Sequence, residues 1–247
     1  MPHSRNQGLP EVEPSARPLD YLLNLLFPDR CLFCRTILPL ADGLPLCSSC
    51  RTTFSPAGRI CPQCERFFQG QTKCTCLPAT SPLQSLFALS RYDQQWRALL
   101  HDLKYRNRRS LARPFGVWLA REIIKQEYCA PHVVVPIPLH RLREKERGFN
   151  QSTLVACHTA RILGIPCRQL LVKNKDTVSQ TTISRLERRE NIHGVFSCTS
   201  SLPQGFVVLL IDDIYSTGAT MKEAAAVLHG CGAKVFGAVI AYNPRIS

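Results

Sequence analysis

The segment that decides the fold is Val207-Val208-Leu209-Leu210-Ile211-Asp212-Asp213-Ile214-Tyr215-Ser216-Thr217-Gly218-Ala219-Thr220. Its apolar start predicts a strand that is covered on both faces. Two carboxylates come where this strand is expected to emerge, and Thr-Gly-Ala-Thr then opens a predicted helix. A helix N-terminus attracts anions because its first N–H groups and the positive end of its dipole face the ligand. The segment therefore predicts a phosphate loop.

The residue types in this loop suit a phosphorylated sugar. Gly218 lets the chain approach a phosphate closely, and the Ser and Thr hydroxyls add donors. Asp212 and Asp213 can accept hydrogen bonds from a ribose diol or help to hold Mg²⁺. An ordinary strand end with an Asp cap and a Thr-rich first turn is the alternative, but it explains one Asp and one Thr only. The candidate binding residues are Asp212, Asp213, Ser216, Thr217, Gly218, Ala219 and Thr220.

Predicted strands and helices alternate on both sides of the loop. Apolar and β-branched runs predict strands at residues 86–89, 133–138, 206–211 and 234–241. Helical spacing predicts helices at residues 94–104, 111–126, 150–163 and 221–229. This alternation predicts an α/β fold, in which helices flank a mainly parallel sheet. Ligands of such sheets bind beyond the carboxyl ends of the strands.

Paired cysteines define a second, smaller module. Eight of the 13 cysteines lie between residues 31 and 76, in three CxxC turns and one CxC turn. A CxxC turn brings two thiolates onto one tetrahedral ion, so eight ligands predict two closed structural zinc sites. The simplest pairing is Cys31, Cys34, Cys47 and Cys50 for one site and Cys61, Cys64, Cys74 and Cys76 for the other.

Two alternatives to this assignment remain at the level of sequence. Interleaved pairing of the turns is open, and a disulfide framework is disfavoured because the N-terminal residues lack the apolar region of a secretory signal. The scattered cysteines are predicted to be small core residues. They are Cys129, Cys157, Cys167, Cys198 and Cys231.

Composition indicates the cellular compartment and the kind of partner that we expect for the protein. No apolar run reaches about 18 residues, so no membrane span is predicted, and we expect a cytoplasmic protein. The chain carries 31 basic and 18 acidic residues, and most of the +13 excess follows residue 80, which suits a polyanion or a solvated basic face. The predicted organisation is a disordered tail at 1–18, a double zinc ribbon at 19–80 and an α/β domain at 81–247.

The phosphate loop resembles the phosphoribosyl pyrophosphate (PRPP) motif of type I phosphoribosyltransferases, which has two acidic residues, three spacers and Thr-Gly-x-Thr. By this resemblance, the acidic pair holds the ribose hydroxyls and residues 216–220 hold the 5′-phosphate, with Mg²⁺ accompanying PRPP. Enzymes that act on 6-oxopurines carry an Asp directly before Thr-Gly, where this chain has Ser216. A hypoxanthine or guanine substrate is therefore disfavoured.

Further segments resemble the ComF (competence) family. Val135 to Arg141 leads on to Arg147-Gly148-Phe149-Asn150-Gln151, which is similar to the RGFNQ signature of that family. Residues 177–196 and His101-Asp102-Leu103-Lys104-Tyr105 are similar to two further signatures. The cysteine module ahead of the α/β domain is the usual architecture of the family, and the resemblance spans residues 22–242.

Basic residues near these segments are candidates for a diphosphate. Arg141, Arg143 and Arg147 follow a predicted strand, where the family resemblance places a pyrophosphate-contacting loop. Arg185 and Arg188 lie in a polar segment that can close over a ligand. Solvated loop arginines are the alternative interpretation.

Three functions remain open from the sequence. The resemblance implies a protein of natural transformation that assists single-stranded DNA uptake, with DNA and a competence helicase or related protein as partners. The basic charge and the aromatic residues Tyr92, Trp96 and Tyr105 suit DNA, although helical spacing places Trp96 in the core. The intact loop also suits an active phosphoribosyltransferase on an unidentified acceptor, and a non-catalytic PRPP or nucleotide sensor is the third hypothesis.

Overall fold

The computed structural model describes residues 26, 28, 30–39, 46–53, 58–68, 74–175 and 194–243. It divides into two compact units, Met1–Thr53 and Phe54–Ser247. The predicted tail at 1–18 lies outside the described residues. Within the described ranges, none of the helices combines the length and the apolar composition needed to span a bilayer.

The first unit is built around a cysteine turn and a short helix. An isolated bridge joins Arg30 to Ile37 on either side of the first CxxC turn. Helix α1 (Ser48–Thr53) starts directly after Cys47, so Cys50 lies in its first turn. The backbone N–H of Cys50 donates to Cys47 Sγ at 3.4 Å, which holds the second pair of thiols together.

A six-stranded sheet forms the centre of the second unit. Its parallel strands are β3 (Leu83–Arg91), β4 (Val133–Pro136), β7 (Phe206–Tyr215) and β8 (Ala233–Tyr242). An antiparallel hairpin at one edge consists of β1 (Gly58–Ile60) and β2 (Phe67–Phe68). The strand order is β2–β1–β3–β8–β7–β4. A separate antiparallel pair is β5 (Leu171–Lys173) and β6 (Phe196–Cys198). The prediction of an α/β fold with a mainly parallel sheet is confirmed.

Helices connect the strands and bury their apolar sides. They are α2 (Gln94–Tyr105), α3 (Ala112–Lys125) after a 3₁₀ turn at Arg109–Leu111, α4 (Arg141–Arg147), α5 (Gln151–Leu163) and α6 (Ala219–Gly230). Asp93 caps α2 by accepting from Trp96 N at 2.9 Å, which satisfies a donor that the helix itself leaves open. Trp96 is buried and its ring lies 5.9 Å from that of Phe115. It is therefore a core residue, as its spacing predicted, and cannot stack on a base.

Strand β7 is longer than the predicted strand at 206–211. It pairs with β8 along its whole length, so Asp212 lies opposite Val239 and Tyr215 lies opposite Tyr242. The prediction that the strand ends before the acidic pair was therefore wrong. The ladder with β8 instead fixes the backbone that carries both carboxylates.

Candidate phosphoribosyl site and cysteine clusters

A tight turn joins β7 to α6 at the predicted phosphate loop. Gly218 occupies the N-cap position of α6 with φ +74°, in the left-handed region that favours glycine. A Cβ atom at this position would lie 2.2 Å from Tyr215 Oη. Thr217 Oγ1 accepts a hydrogen bond from Ala219 N at 3.4 Å. The turn requires glycine at this position because of the positive φ and because a Cβ atom would clash with Tyr215.

The acidic pair is held by donors from three elements. Asp212 Oδ1 accepts hydrogen bonds from Ser152 Oγ and from the backbone N–H of Asp213, both at 2.9 Å. Asp213 Oδ1 accepts from Ile214 N at 2.9 Å, and its Oδ2 forms an ion pair with Lys104 Nζ. The two carboxylates therefore have defined orientations without a ligand.

The electrostatics of the pair reflect burial and mutual repulsion. Burial and the neighbouring charge of Asp213 raise the pKa of Asp212 to about 7. For Lys104, burial lowers the pKa, but the charges of Asp213 and Asp212 more than offset it and leave this pKa raised. The Lys104 ammonium is thus retained at neutral pH beside the acidic pair.

A cavity of about 610 Å³ opens beside the acidic pair. Its lining includes Ser216 and Thr220 from the phosphate loop, together with residues of α2, of α4 and of the segment between β4 and α4. The basic residues in the lining are Lys104, Arg143, Arg147 and Lys173. A concave site with acidic, basic and hydroxyl groups suits a ligand with both a sugar diol and phosphates.

The predicted arginine loop after β4 is a helix. In α4, Arg143 and Arg147 lie four residues apart on one face and line the cavity, because residues at i and i+4 are neighbours on a helix. Arg147 donates to Gln151 Oε1 at 2.5 Å, and its guanidinium lies 5.1 Å from the centre of the Tyr105 ring. Arg141 is exposed and is not among the described residues that line the cavity.

The RGFNQ segment forms a fixed corner between α4 and α5. Gly148 adopts φ +77° and ends α4. Asn150 accepts from Ser152 N and donates to Ile137 O, both at 2.9 Å, so that it caps α5 and ties it to the end of β4. Arg109 lies over the ring of Phe149 at 4.7 Å. This corner places Ser152 against Asp212.

The structure brings together most of the candidate residues and adds others. Arg185 and Arg188 lie outside the described residues, so their predicted contact with a ligand stays a prediction. Lys104, Gln151 and Ser152 were missed as site residues. Lys104 and Gln151 belong to the quoted family signatures and Ser152 follows RGFNQ directly, which was the available signal.

Two groups of four cysteines have the donor set of structural zinc sites. Within each group the sulfur atoms lie within 4.8 Å of one another, and the groups are Cys31, Cys34, Cys47 and Cys50, and Cys61, Cys64, Cys74 and Cys76. Neighbouring sulfur atoms in these groups lie 3.3 to 3.6 Å apart. Zn–S bonds of about 2.3 Å place the sulfurs of a tetrahedron about 3.8 Å apart, whereas a disulfide needs about 2.05 Å.

The first turn of each group has the same backbone geometry. Cys31 N donates to Thr36 O and Arg35 N donates to Cys31 O, and the same two bonds recur between Cys61 and Arg66 and between Glu65 and Cys61. The residue after each turn, Arg35 or Glu65, has a positive φ. The grouping of the sulfur atoms, rather than the geometry of the turns, supports the simple pairing over the interleaved one.

The prediction that the other cysteines are core residues was wrong for Cys157, which is exposed on α5. The other four, Cys129, Cys167, Cys198 and Cys231, are half-buried. Of these, Cys198 at the end of β6 packs against the hydrophobic core. Cys157 and Cys167 place their sulfur atoms 3.4 Å apart.

Family comparisons agree with this architecture. A model described as double zinc ribbon domain matches residues 22–77, and one described as phosphoribosyl transferase domain matches residues 150–247. The chain is thus a phosphoribosyltransferase-type α/β protein with a double zinc ribbon. It belongs to the ComF (competence protein F) family, which confirms the predicted resemblance.

Three relatives illustrate the match. The DNA utilization protein YhgH of Salmonella typhimurium is 30% identical over 85% of this chain and 94% of its own length. Competence protein F of Haemophilus influenzae is 28% identical, over 83% of this chain and 93% of its own. Competence protein ComFC of Bacillus subtilis is 28% identical, over 78% of this chain and 82% of its own length.

Two solved structures illustrate the comparison with known folds. Glutamine PRPP amidotransferase from B. subtilis, complexed with ADP and GMP, is 25% identical with a TM-score of 0.38, over 53% of this chain and 26% of its own. Purine phosphoribosyltransferase from Pyrococcus horikoshii is 19% identical with a TM-score of 0.34, over 54% of this chain and 74% of its own.

Proposed function

We propose that this protein binds PRPP or a related phosphoribosyl ligand with Mg²⁺ and, in the cytoplasm, assists natural transformation by acting on incoming single-stranded DNA. The observation that carries the ligand proposal is the acidic pair at the end of β7 beside the Gly218 turn. Relatives named competence protein F and ComFC support the role in transformation.

The residues of the loop have separate tasks in this proposal. The first N–H groups of α6, with the hydroxyls of Ser216, Thr217 and Thr220, bind the 5′-phosphate. Asp212 and Asp213 accept from the ribose hydroxyls, and their carboxylate oxygens suit Mg²⁺. When bound, Mg²⁺ neutralises charge on the diphosphate.

Arginines complete the anion site in this proposal. Arg143 and Arg147 approach the diphosphate from α4, while Arg185 and Arg188 are proposed to close over it. Arg143 and Arg147 line the cavity that also contains the acidic pair, which supports their assignment.

A phosphoribosyl transfer reaction is the second candidate function. The retained acidic pair and the size of the cavity favour it, because an acceptor needs room beside the ribose. Transfer would require stabilisation of an oxocarbenium-like centre and of the departing pyrophosphate. PRPP consumption that depends on one acceptor would establish this reaction, whereas binding without turnover of any acceptor would support a sensor.

The DNA proposal rests on charge and on the relatives. Binding should fall steeply with salt because Lys and Arg release counterions from the phosphates. The two cysteine clusters would hold structural zinc, and the ribbon is proposed to contact a helicase or related protein. Absence of single-stranded DNA binding by zinc-loaded protein at low salt would overturn the DNA proposal.

Isothermal titration of the zinc-loaded full chain with PRPP and Mg²⁺ tests the ligand proposal. We expect saturable binding by the native chain and its loss in the double variant Asp212→Ala, Asp213→Ala. The control variant is Lys125→Met, which changes an exposed residue of α3 that is not among the described residues lining the cavity. A folded native chain that does not bind PRPP contradicts the proposal.

A further inference from the structure

An ion pair joins Lys104 to Asp213 at the acidic pair, to which the proposed function assigns the ribose hydroxyls and Mg²⁺. Lys104 comes from the last turn of α2, and its ammonium contacts Asp213 Oδ2. The two side chains are 20% and 7% exposed, so solvent screens the pair only weakly. A buried charge of this kind is costly unless it is paired.

Protein donors already engage three of the four carboxylate oxygens. Asp213 Oδ1 accepts from Ile214 N, and Asp213 Oδ2 contacts the Lys104 ammonium. Asp212 Oδ1 accepts from Ser152 Oγ and from Asp213 N. A metal ion that binds Asp213 through Oδ2 would share this oxygen with the Lys104 ammonium, so the two cations would lie close enough to repel one another.

Charge opposes the entry of a metal ion while Lys104 stays in place. With an effective dielectric constant of about 20, a unit positive charge about 4 Å from a divalent cation weakens its binding by more than a factor of ten. Mg²⁺ also dehydrates reluctantly and usually binds through one or two carboxylates together with the phosphates of a ligand.

A lysine side chain can move away from the acidic pair when a ligand binds. Its ammonium is a compact point charge on a flexible four-carbon stem, with three donors that can turn to a phosphate. Lys104, Arg143 and Arg147 all line the cavity, so the space next to the ammonium already attracts anions.

We propose that Lys104 is the resident cation of the acidic pair, which excludes a divalent metal from the free protein until a phosphorylated ligand brings the metal with it. This inference rests on the proposed function for the identity of that ligand. Its first half, the exclusion of the metal, concerns the free protein alone. Lys104 is a positioning residue because it acts through Asp213.

Mn²⁺ titration of the zinc-loaded full chain, followed by electron paramagnetic resonance of free Mn²⁺ without any phosphoribosyl compound, tests the exclusion. Lys104→Met should bind Mn²⁺ about tenfold or more tightly than the native chain, because a nearby positive charge has been removed. Lys104→Arg, which keeps the charge, and Lys125→Met, which removes an exposed charge from α3, should behave like the native chain.

The acquired site should also depend on Asp213. The double variant Lys104→Met, Asp213→Asn should lose the gain in Mn²⁺ affinity, which a merely structural role of Lys104 would not predict. If Lys104→Met fails to fold by circular dichroism, Lys104→Gln replaces it in the same titration. Equal Mn²⁺ affinity of the native chain and a folded Lys104 variant overturns the proposal.

Failure of the inference and failure of the proposed function give different results. A native chain that does not bind PRPP, combined with a gain of Mn²⁺ affinity in Lys104→Met, contradicts the ligand proposal and supports the exclusion of metal. PRPP binding by the native chain with no change in Mn²⁺ affinity in Lys104→Met leaves the ligand proposal supported and overturns the inference.

Discussion

Tyr242 Oη donates a hydrogen bond of 3.3 Å to Glu65 Oε2, and this bond joins the last strand of the sheet to a cysteine turn. The ring of Tyr242 also lies 5.6 Å from that of Phe67 and 6.0 Å from that of Tyr215. Tyr215 packs against Gly218, so contacts run from the second cysteine cluster to the phosphate loop. Within this unit the cysteine turn supports the ligand site.

Loss of zinc from the second cysteine group should weaken the proposed phosphoribosyl site. In the variant Cys64→Ser, a four-coordinate site loses one ligand, and we expect one fewer zinc per chain together with several-fold weaker PRPP binding. Zinc stoichiometry and isothermal titration on the same sample measure both effects. Tyr242→Phe should retain the zinc and lose the bond to Glu65, so a smaller effect is expected. Native PRPP affinity in zinc-depleted Cys64→Ser would refute the coupling.

Replacement of Gly218 by Ala should damage the loop. The new Cβ atom would lie 2.2 Å from Tyr215 Oη, and the residue would have to adopt φ +74°. We therefore expect the free energy of unfolding to fall by about 1–3 kcal/mol and PRPP binding to become at least tenfold weaker. Denaturant titration and calorimetry measure these effects. Gly230→Ala is the matched control, because it lies in the same helix and its Cβ atom meets nothing within 4 Å. Equal behaviour of the two variants would contradict the assigned packing.

The raised pKa of Asp212 predicts a decrease in stability with rising pH. Between the ordinary Asp value of about 4 and the folded value of about 7, the folded state binds more protons than the unfolded state, so the contribution of Asp212 to stability falls as pH rises. Asp212→Asn removes this contribution. Denaturant titrations at pH 5 and pH 8 give the free energy of unfolding of the native chain and of the variant. The native value minus the variant value should fall by on the order of 2–4 kcal/mol from pH 5 to pH 8. A difference that stays constant with pH would exclude the raised pKa.

Arg141 and Arg143, two of the three arginines of α4, should behave differently. Arg143 lines the cavity, whereas Arg141 is exposed and not among the described lining residues, so Arg143→Ala should weaken PRPP binding about tenfold and Arg141→Ala should change it little. Calorimetric titration with PRPP and with pyrophosphate distinguishes the two positions. Both variants should keep the native melting temperature, since the Arg143–Glu146 ion pair lies at the surface. An equal loss of affinity in both variants would indicate a nonspecific charge effect.

Local periodicity was sufficient for most of the secondary structure but not for the ends of elements. The predicted helix at 94–104 corresponds to α2, because apolar residues recur on one of its faces and Asp93 caps it. The end of β7 was missed because pairing with β8 overrides the polar character of Asp212 and Asp213. The helix at Arg141–Arg147 was missed because it contains no buried residue, so no apolar periodicity marked it.

The sequence by itself determined the fold class, the phosphate loop and the eight cysteines of the two clusters, because each depends on residues close together along the chain. Only the tertiary structure decided that Lys104 and Ser152 hold the acidic pair and that Arg143 faces the cavity while Arg141 does not. Ser152 and Asp212 are 60 residues apart, and no local pattern records such a contact. The parallel sheet creates it, because the carboxyl end of β4 pairs with Ile211, one residue before Asp212, and α5 starts beside it.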